Sequence, residues 1–186
     1  MLTLEDAKRI NAKHVKEPHL VVHAAAVSAA MGAMAKHFGE DEDHWAAVGY
    51  LHDVDYERFP QEHLAHTEEL LAGEGVTAEE LRAILSHGYG SHTDKEPITS
   101  MEKSLFTVDE LTGIVMAAAI MRPTGIGGLE VSSLKKKFKD KRFAAKCDRE
   151  LIKRGCDMLG MTLEDVMDIT INGMRERSEE LGLRNG

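Results

Sequence analysis

Helix-opening and helix-closing residues recur along this chain at helix-length intervals, and no segment between them alternates apolar and polar residues as a half-buried strand would. Thr3 with Asp6 three positions on resembles a capping box and predicts a helix over about 4–15. Pro18 opens an Ala-rich helix over about 18–38, and Gly39 closes it. Asp41 or Asp43 caps a third, over about 43–52. After a polar turn at Pro60 come two short helices, over about 62–72 and 78–87, the second opened by Thr77 with Glu80. Ser100, with Lys103 behind it, begins a long apolar helix over about 100–121 that Arg122-Pro123 interrupts. Helices over about 131–139, 141–159 and 163–181 complete the chain, the last opened by Thr162 with Asp165. The predicted fold class is all-α, a helical bundle in a single domain over 1–186.

A chain of 186 residues is long enough to bury a core without staples. A formal net charge of −9 argues against binding a nucleic-acid polymer, which needs a basic surface. The local exception is Lys135-Lys136-Lys137 with Lys139, Lys141 and Arg142, a pattern usually found on a solvated helix face. Two cysteines, Cys147 and Cys156, without a Cys-x-x-Cys fit a reducing compartment. The N-terminus has no basic-then-apolar leader, and no charge-free apolar run approaches the roughly 18 residues of a membrane span. The expected location is cytoplasmic, with no membrane partner.

Against that background, Leu51-His52-Asp53-Val54-Asp55-Tyr56-Glu57-Arg58 stands out. A neighbouring imidazole and carboxylate make a metal-binding corner, although the dipeptide alone is weak evidence. Within a helix the two side chains would diverge by about 100°, but at a helix C-terminus the chain unwinds and they can converge. A carboxylate there is also disfavoured by the helix dipole, and a cation removes that penalty. His23 lies among Leu20, Val21, Val22 and Ala24–Ala26, where a histidine is either a satisfied core residue or a ligand. Asp109 lies mid-helix among Leu105, Val108 and Leu111, so burying it requires a counter-charge, while Glu110 beside it is expected in solvent. His63 and His66 are three apart, and of the two His66 leads into the apolar Leu70-Leu71 face. His87 ends a helix at an apolar edge, and His92 is expected in an exposed loop.

The order His23, then His52-Asp53, then Asp109, all on helices, resembles the HD-domain superfamily of metal-dependent phosphohydrolases. The resemblance covers about 18–122 and leaves a C-terminal helical extension, about 131–181, outside the motif core. The resemblance implies His23, His52, Asp53 and Asp109 as ligands of a divalent ion. A subset of the superfamily adds two histidines and a second ion bridged by the doublet's carboxylate, and His66 and His87 fall in the matching places. The segment from His52 through Met101-Glu102-Lys103-Ser104-Leu105 looks most like the HD-type dinucleoside tetraphosphate hydrolases. A Glu-Pro-x-Arg element expected after Asp109 is not evident, and only Gly88-Tyr89-Gly90 stands where cyclic-dinucleotide phosphodiesterases carry their signature.

The implied activity is hydrolysis of a phosphoester or phosphoanhydride in a nucleotide or small phosphorylated metabolite by metal-activated water. Imidazole and carboxylate ligands favour iron or manganese, with cobalt, nickel, magnesium or zinc as alternatives. Asp53, Asp55, Glu57 and Lys103 are the candidate catalytic residues. Lys103, Arg58, Lys95 and Arg122 are the candidate phosphate contacts. A di-iron oxygenase on the same ligands and a non-catalytic metal-binding or sensory module are the competing expectations.

Overall fold

A computed structural model describes residues 1–184. Helices α1 (Leu4–His14), α2 (Pro18–Phe38) and α3 (Glu42–Leu51) are followed by a 3-10 turn (Pro60–Glu62), α4 (Thr67–Leu71) and α5 (Ala78–Ser86). Then come α6 (Ser100–Ile120), a second 3-10 turn (Gly125–Gly128), α7 (Val131–Lys139), α8 (Arg149–Leu159) and α9 (Leu163–Glu176). No strand occurs among the described residues, only an isolated bridge between Tyr89 and Thr93. The fold is an all-α bundle.

The caps are those of the sequence, with one shift. Thr3, Asp41, Thr77 and Thr162 each accept an N–H from the first turn of the following helix. In α6 the cap is Thr99, one residue before Ser100, and Glu102 closes a reciprocal capping box with it. Gly39 ends α2 with φ of 71°, the left-handed conformation that suits a residue without Cβ.

The two 21-residue helices, α2 and α6, are the axis of the bundle. Helices α3, α9 and α6 surround α2, while α8, α2 and α5 pack on α6. Among the described residues α2 alone is long and apolar enough to pass for a membrane span, with mean hydropathy 1.3. More than half of that window is buried inside the bundle, as befits a core helix: Ala26, Val27, Ala30, Met31 and Met34 are fully enclosed. The apolar side chains of α1, α2, α3, α5, α6 and α9 join in one buried cluster.

Three predicted helices differ from expectation, and the first two departures shape the site. The helix over 62–72 is broken, because Leu64 takes φ of 71° and only Thr67–Leu71 is helical. The Leu64 side chain lies where a Cβ on Gly88 would sit, so a glycine at 88 is what admits it. The helix over 141–159 begins only at Arg149, where Asp148 caps it by accepting the Leu151 N–H at 3.0 Å. Residues 141–147 form turns instead, wound around the Arg149 guanidinium. That group donates to the carbonyls of Phe138 (3.1 Å), Asp140 (3.1 Å), Ala144 (2.8 Å), Cys147 (3.1 Å) and Phe143. A fork of five donors matched to four carbonyls of one loop and one of α7 is a strong local organiser. Helix α9 ends at Glu176 rather than 181, and turns follow it.

Candidate metal centre

Two helices end in the same way at the centre of the molecule. His52 is the C-cap of α3, and its Nδ1–H donates to the Gly49 carbonyl at 2.7 Å. His87 is the C-cap of α5, and its Nδ1–H donates to the Ile84 carbonyl at 2.6 Å. Each imidazole thus adds a second donor to a last-turn carbonyl that accepts only a long backbone N–H bond, 3.5 Å at Gly49 and 3.3 Å at Ile84. Because a carbonyl can only accept, the proton is on Nδ1 and the Nε2 of the neutral ring is a bare lone pair. His63 reaches the same state differently, its Nδ1–H donating to the Asp55 carboxylate at 2.9 Å.

These lone pairs converge with carboxylate oxygens in two groups. In the first, His23 Nε2 lies 3.1 Å from His52 Nε2 and 3.0 Å from Asp109 Oδ1. His52 Nε2 is 3.2 Å from both Asp109 Oδ1 and Asp53 Oδ2, and His23 Nε2 is 3.5 Å from Asp53 Oδ2. In the second, His63 Nε2 lies 3.2 Å from both His87 Nε2 and Asp53 Oδ1, and His87 Nε2 is 3.5 Å from Asp53 Oδ1. Donors about 2.1 Å from one ion stand about 3.0 Å apart at right angles and about 3.4 Å apart in a tetrahedron. The observed spacings, 3.0–3.5 Å, fall in the range that such donor pairs would have. Asp53 has one oxygen in each group.

The donor chemistry fits a cation at both places. The His63 and His87 rings present two lone pairs to each other at 3.2 Å, with both Nδ1 atoms already donating elsewhere. Only a positive centre between them relieves that contact. In the metal-free protein protons supply the charge. Burial opposes protonation of His52, but the Asp53 and Asp109 carboxylates outweigh it and hold its pKa well above the ordinary imidazole value. Burial likewise opposes protonation of His63, and hydrogen bonds to Asp53 and Asp55 push it up to about 9. Burial would raise the Asp53 and Asp109 carboxyls, yet the His52 charge and the surrounding imidazole hydrogen bonds carry both well below the carboxylate range.

The family model described as the HD domain matches residues 20–125, more than half of the chain and every residue of both groups. The chain belongs to the HD-domain family. No curated protein and no solved structure matches it.

The cluster differs from the sequence expectation at one histidine. His66 does not reach it. The ring stacks on Phe59 at 3.8 Å between centroids, and its nitrogens face Glu62 and Glu69 on the outer surface. His63 takes the place instead. The expectation rested on a continuous helix over 62–72, and the left-handed Leu64 reverses which histidine turns inward.

Other expected residues are also placed elsewhere. Asp55 is fully buried behind His63 and does not line the cavity, so it orients that imidazole rather than facing the cavity. Glu57 accepts the backbone N–H groups of Lys16 (2.7 Å) and Glu17 (3.0 Å), anchoring the entry to α2. Lys103 precedes Asp109 by six residues, which at about 100° per residue turns it some 120° away from that face of α6. It lines no part of the cavity, and neither do Arg58, Lys95 or Arg122. Arg58 lies over the Phe59 ring at 5.3 Å, and Arg122 donates to the Gly128 carbonyl at 2.6 Å.

The cavity over the centre is about 320 Å³. His23, Asp53, His63, His87 and Asp109 line it on the side of the two donor groups. His92 is in an exposed loop, as expected, and from there lines the cavity with its ring 5.0 Å from that of His63. Glu110, expected in solvent, lines it too, accepting the Asp148 N–H at 2.9 Å. Burial raises the Glu110 carboxyl. The far wall is Phe106 and Gly113 of α6 with Lys146, Cys147 and Leu151 from beyond the matched segment. Burial pushes the Cys147 thiol up to about 11, so it is not a nucleophile at neutral pH. His92 is the one residue that sequence signals could have found, as a further histidine in a loop following His87. Lys146 and Leu151 carry no such signal.

Proposed function

We propose that this HD-domain protein is a metal-dependent phosphohydrolase with a two-metal centre, cleaving a phosphoester or phosphoanhydride of a nucleotide or other small phosphorylated metabolite. The observation that carries it is the bifacial Asp53 carboxylate, with Oδ2 among His23, His52 and Asp109 and Oδ1 between His63 and His87. Bound there, divalent cations supply Lewis-acid charge for a phosphate oxygen and make water acidic enough to attack at neutral pH. Mixed imidazole and carboxylate donors suit iron or manganese, and also cobalt, nickel, magnesium or zinc.

The protein's own part is positional. Gly49, Ile84 and Asp55 fix three imidazoles in the tautomer that offers Nε2. Asp53, one-fifth exposed, bridges the two groups at the cavity floor. His92 and Tyr56 flank His63 and narrow access to it, with ring centroids 5.0 and 5.3 Å away.

The test joins metal analysis to turnover. Wild-type protein is expected to carry two ions per chain and to release phosphate or a nucleotide from a panel of nucleotides, dinucleoside polyphosphates and cyclic dinucleotides. Asp53→Ala is expected to lose both metal and activity. Full metal content in that variant overturns the assignment, and oxygen uptake in place of phosphate release assigns the di-iron alternative.

A further inference from the structure

We propose that Lys146 binds the phosphate of the substrate, and that the 140–147 loop makes the site selective for a small phosphomonoester. The inference rests on the phosphohydrolase reading of the same cavity and adds what the C-terminal segment does there.

Glu110 lines the cavity beside Asp53 and Asp109, and unlike them it does not face the metal positions, so the part of a dianionic phosphate that the metals do not meet needs a further cation. Lys146 is the only lysine or arginine among the described residues that line the cavity. Its ammonium has no ion pair or hydrogen bond among the described residues, so it has three donors to give. A lysine acts on phosphate as a mobile point charge and needs no fixed fork.

The loop that carries it is built rather than loose. Four of the five carbonyls bound by Arg149 lie between Asp140 and Cys147, and Ala144 is held at φ of 46°, a conformation a non-glycine residue adopts only when its surroundings impose it. The neighbour of Lys146, Cys147, meets α6 where a Cβ on Gly113 would come within 2.8 Å of its Sγ. The glycine lets the loop close directly on the site. The wall that carries Lys146 also presents apolar surface, with Phe106 and Leu151. A volume of about 320 Å³ is at the bottom of the range that small-molecule sites span. The geometry matches a terminal phosphate between the metal face and Lys146, with one compact organic group against Phe106 and Leu151.

The experiment measures binding, not turnover. Protein loaded with manganese and assayed for metal content is titrated calorimetrically with inorganic phosphate, as wild type and as Lys146→Met, Lys146→Arg and Lys103→Met. Expected is two ions in every variant, phosphate binding weakened about tenfold or more in Lys146→Met, largely restored in Lys146→Arg and unchanged in Lys103→Met. Full metal with unaltered phosphate affinity in Lys146→Met overturns the role of Lys146 and leaves the metal centre standing. Absence of metal from the wild type overturns the phosphohydrolase reading and this inference with it. Full metal without phosphate binding in the wild type overturns this inference alone. In competition against bound phosphate, a three-carbon phosphomonoester is expected to displace it more tightly than a dinucleoside polyphosphate. The opposite order overturns the size selection.

Discussion

His63 donates its Nδ1–H to Asp55 at 2.9 Å, and the carboxylate it leans on is wholly buried. The pair turns a histidine eight residues past Asp55 so that its Nε2 faces Asp53. Removing the carboxylate frees the ring to rotate. Asp55→Ala is expected to weaken the second metal position about 10–100-fold while leaving the first filled. Asp55→Asn keeps an oxygen that can accept the same proton and should recover most of the loss. Equilibrium dialysis with metal analysis reads both. Two tightly held ions in Asp55→Ala would exclude an orienting role.

His63 and His66 separate cleanly. His63→Ala is expected to bind one ion where the wild type binds two. His66→Ala loses the stack on Phe59 and the exposed contacts with Glu62 and Glu69, costing on the order of 1 kcal/mol, and keeps both ions. Metal stoichiometry and thermal denaturation of the two variants decide the matter, and the reverse pattern would restore His66 as the ligand.

The pH response of the metal-free protein follows from two opposite shifts. His63, raised to about 9 from 6.5, contributes stability that is complete below about 6.5 and lost as the pH rises through 9. Asp53 and Asp109, lowered from 3.8, contribute stability present above that value and lost as the pH falls below it. With chelator present, thermal stability is expected to peak between about pH 4 and 6.5 and to decline toward 9. Metal must displace these protons, so the melting-temperature gain on adding it should grow from pH 6 to 9. A gain that shrinks over that interval would contradict the ligand set.

The loop around Arg149 makes a stability prediction independent of metal. Arg149→Met leaves the Phe138, Asp140, Phe143, Ala144 and Cys147 carbonyls without their shared donor and is expected to cost on the order of 3 kcal/mol. Ala144→Gly relieves the left-handed backbone at the cost of a more flexible unfolded chain, for a net gain of roughly 0.5–1 kcal/mol. Urea denaturation measures both, and a destabilised Ala144→Gly would mean that the methyl group itself is needed.

What the sequence determined by itself is what local rules govern. Cap residues and helical period set nearly all the helices, because an N-cap hydrogen bond spans three residues and an apolar stripe recurs each turn. The same locality marked His52-Asp53 at a helix end and put His23 and Asp109, both part-buried, among apolar neighbours. Only the tertiary structure decided the rest. Which of His63 and His66 turns inward depends on the left-handed Leu64, a conformation that the packing space above Gly88 permits and that no propensity announces. Asp55 became an orienting partner, and Glu57 an anchor for α2, through contacts with residues 8 and 41 positions away. Lys146 reaches the cavity because Arg149 gathers the carbonyls of its loop and Gly113 lets that loop approach α6. These are relations between chain segments distant in sequence. A periodicity read one segment at a time has no access to them.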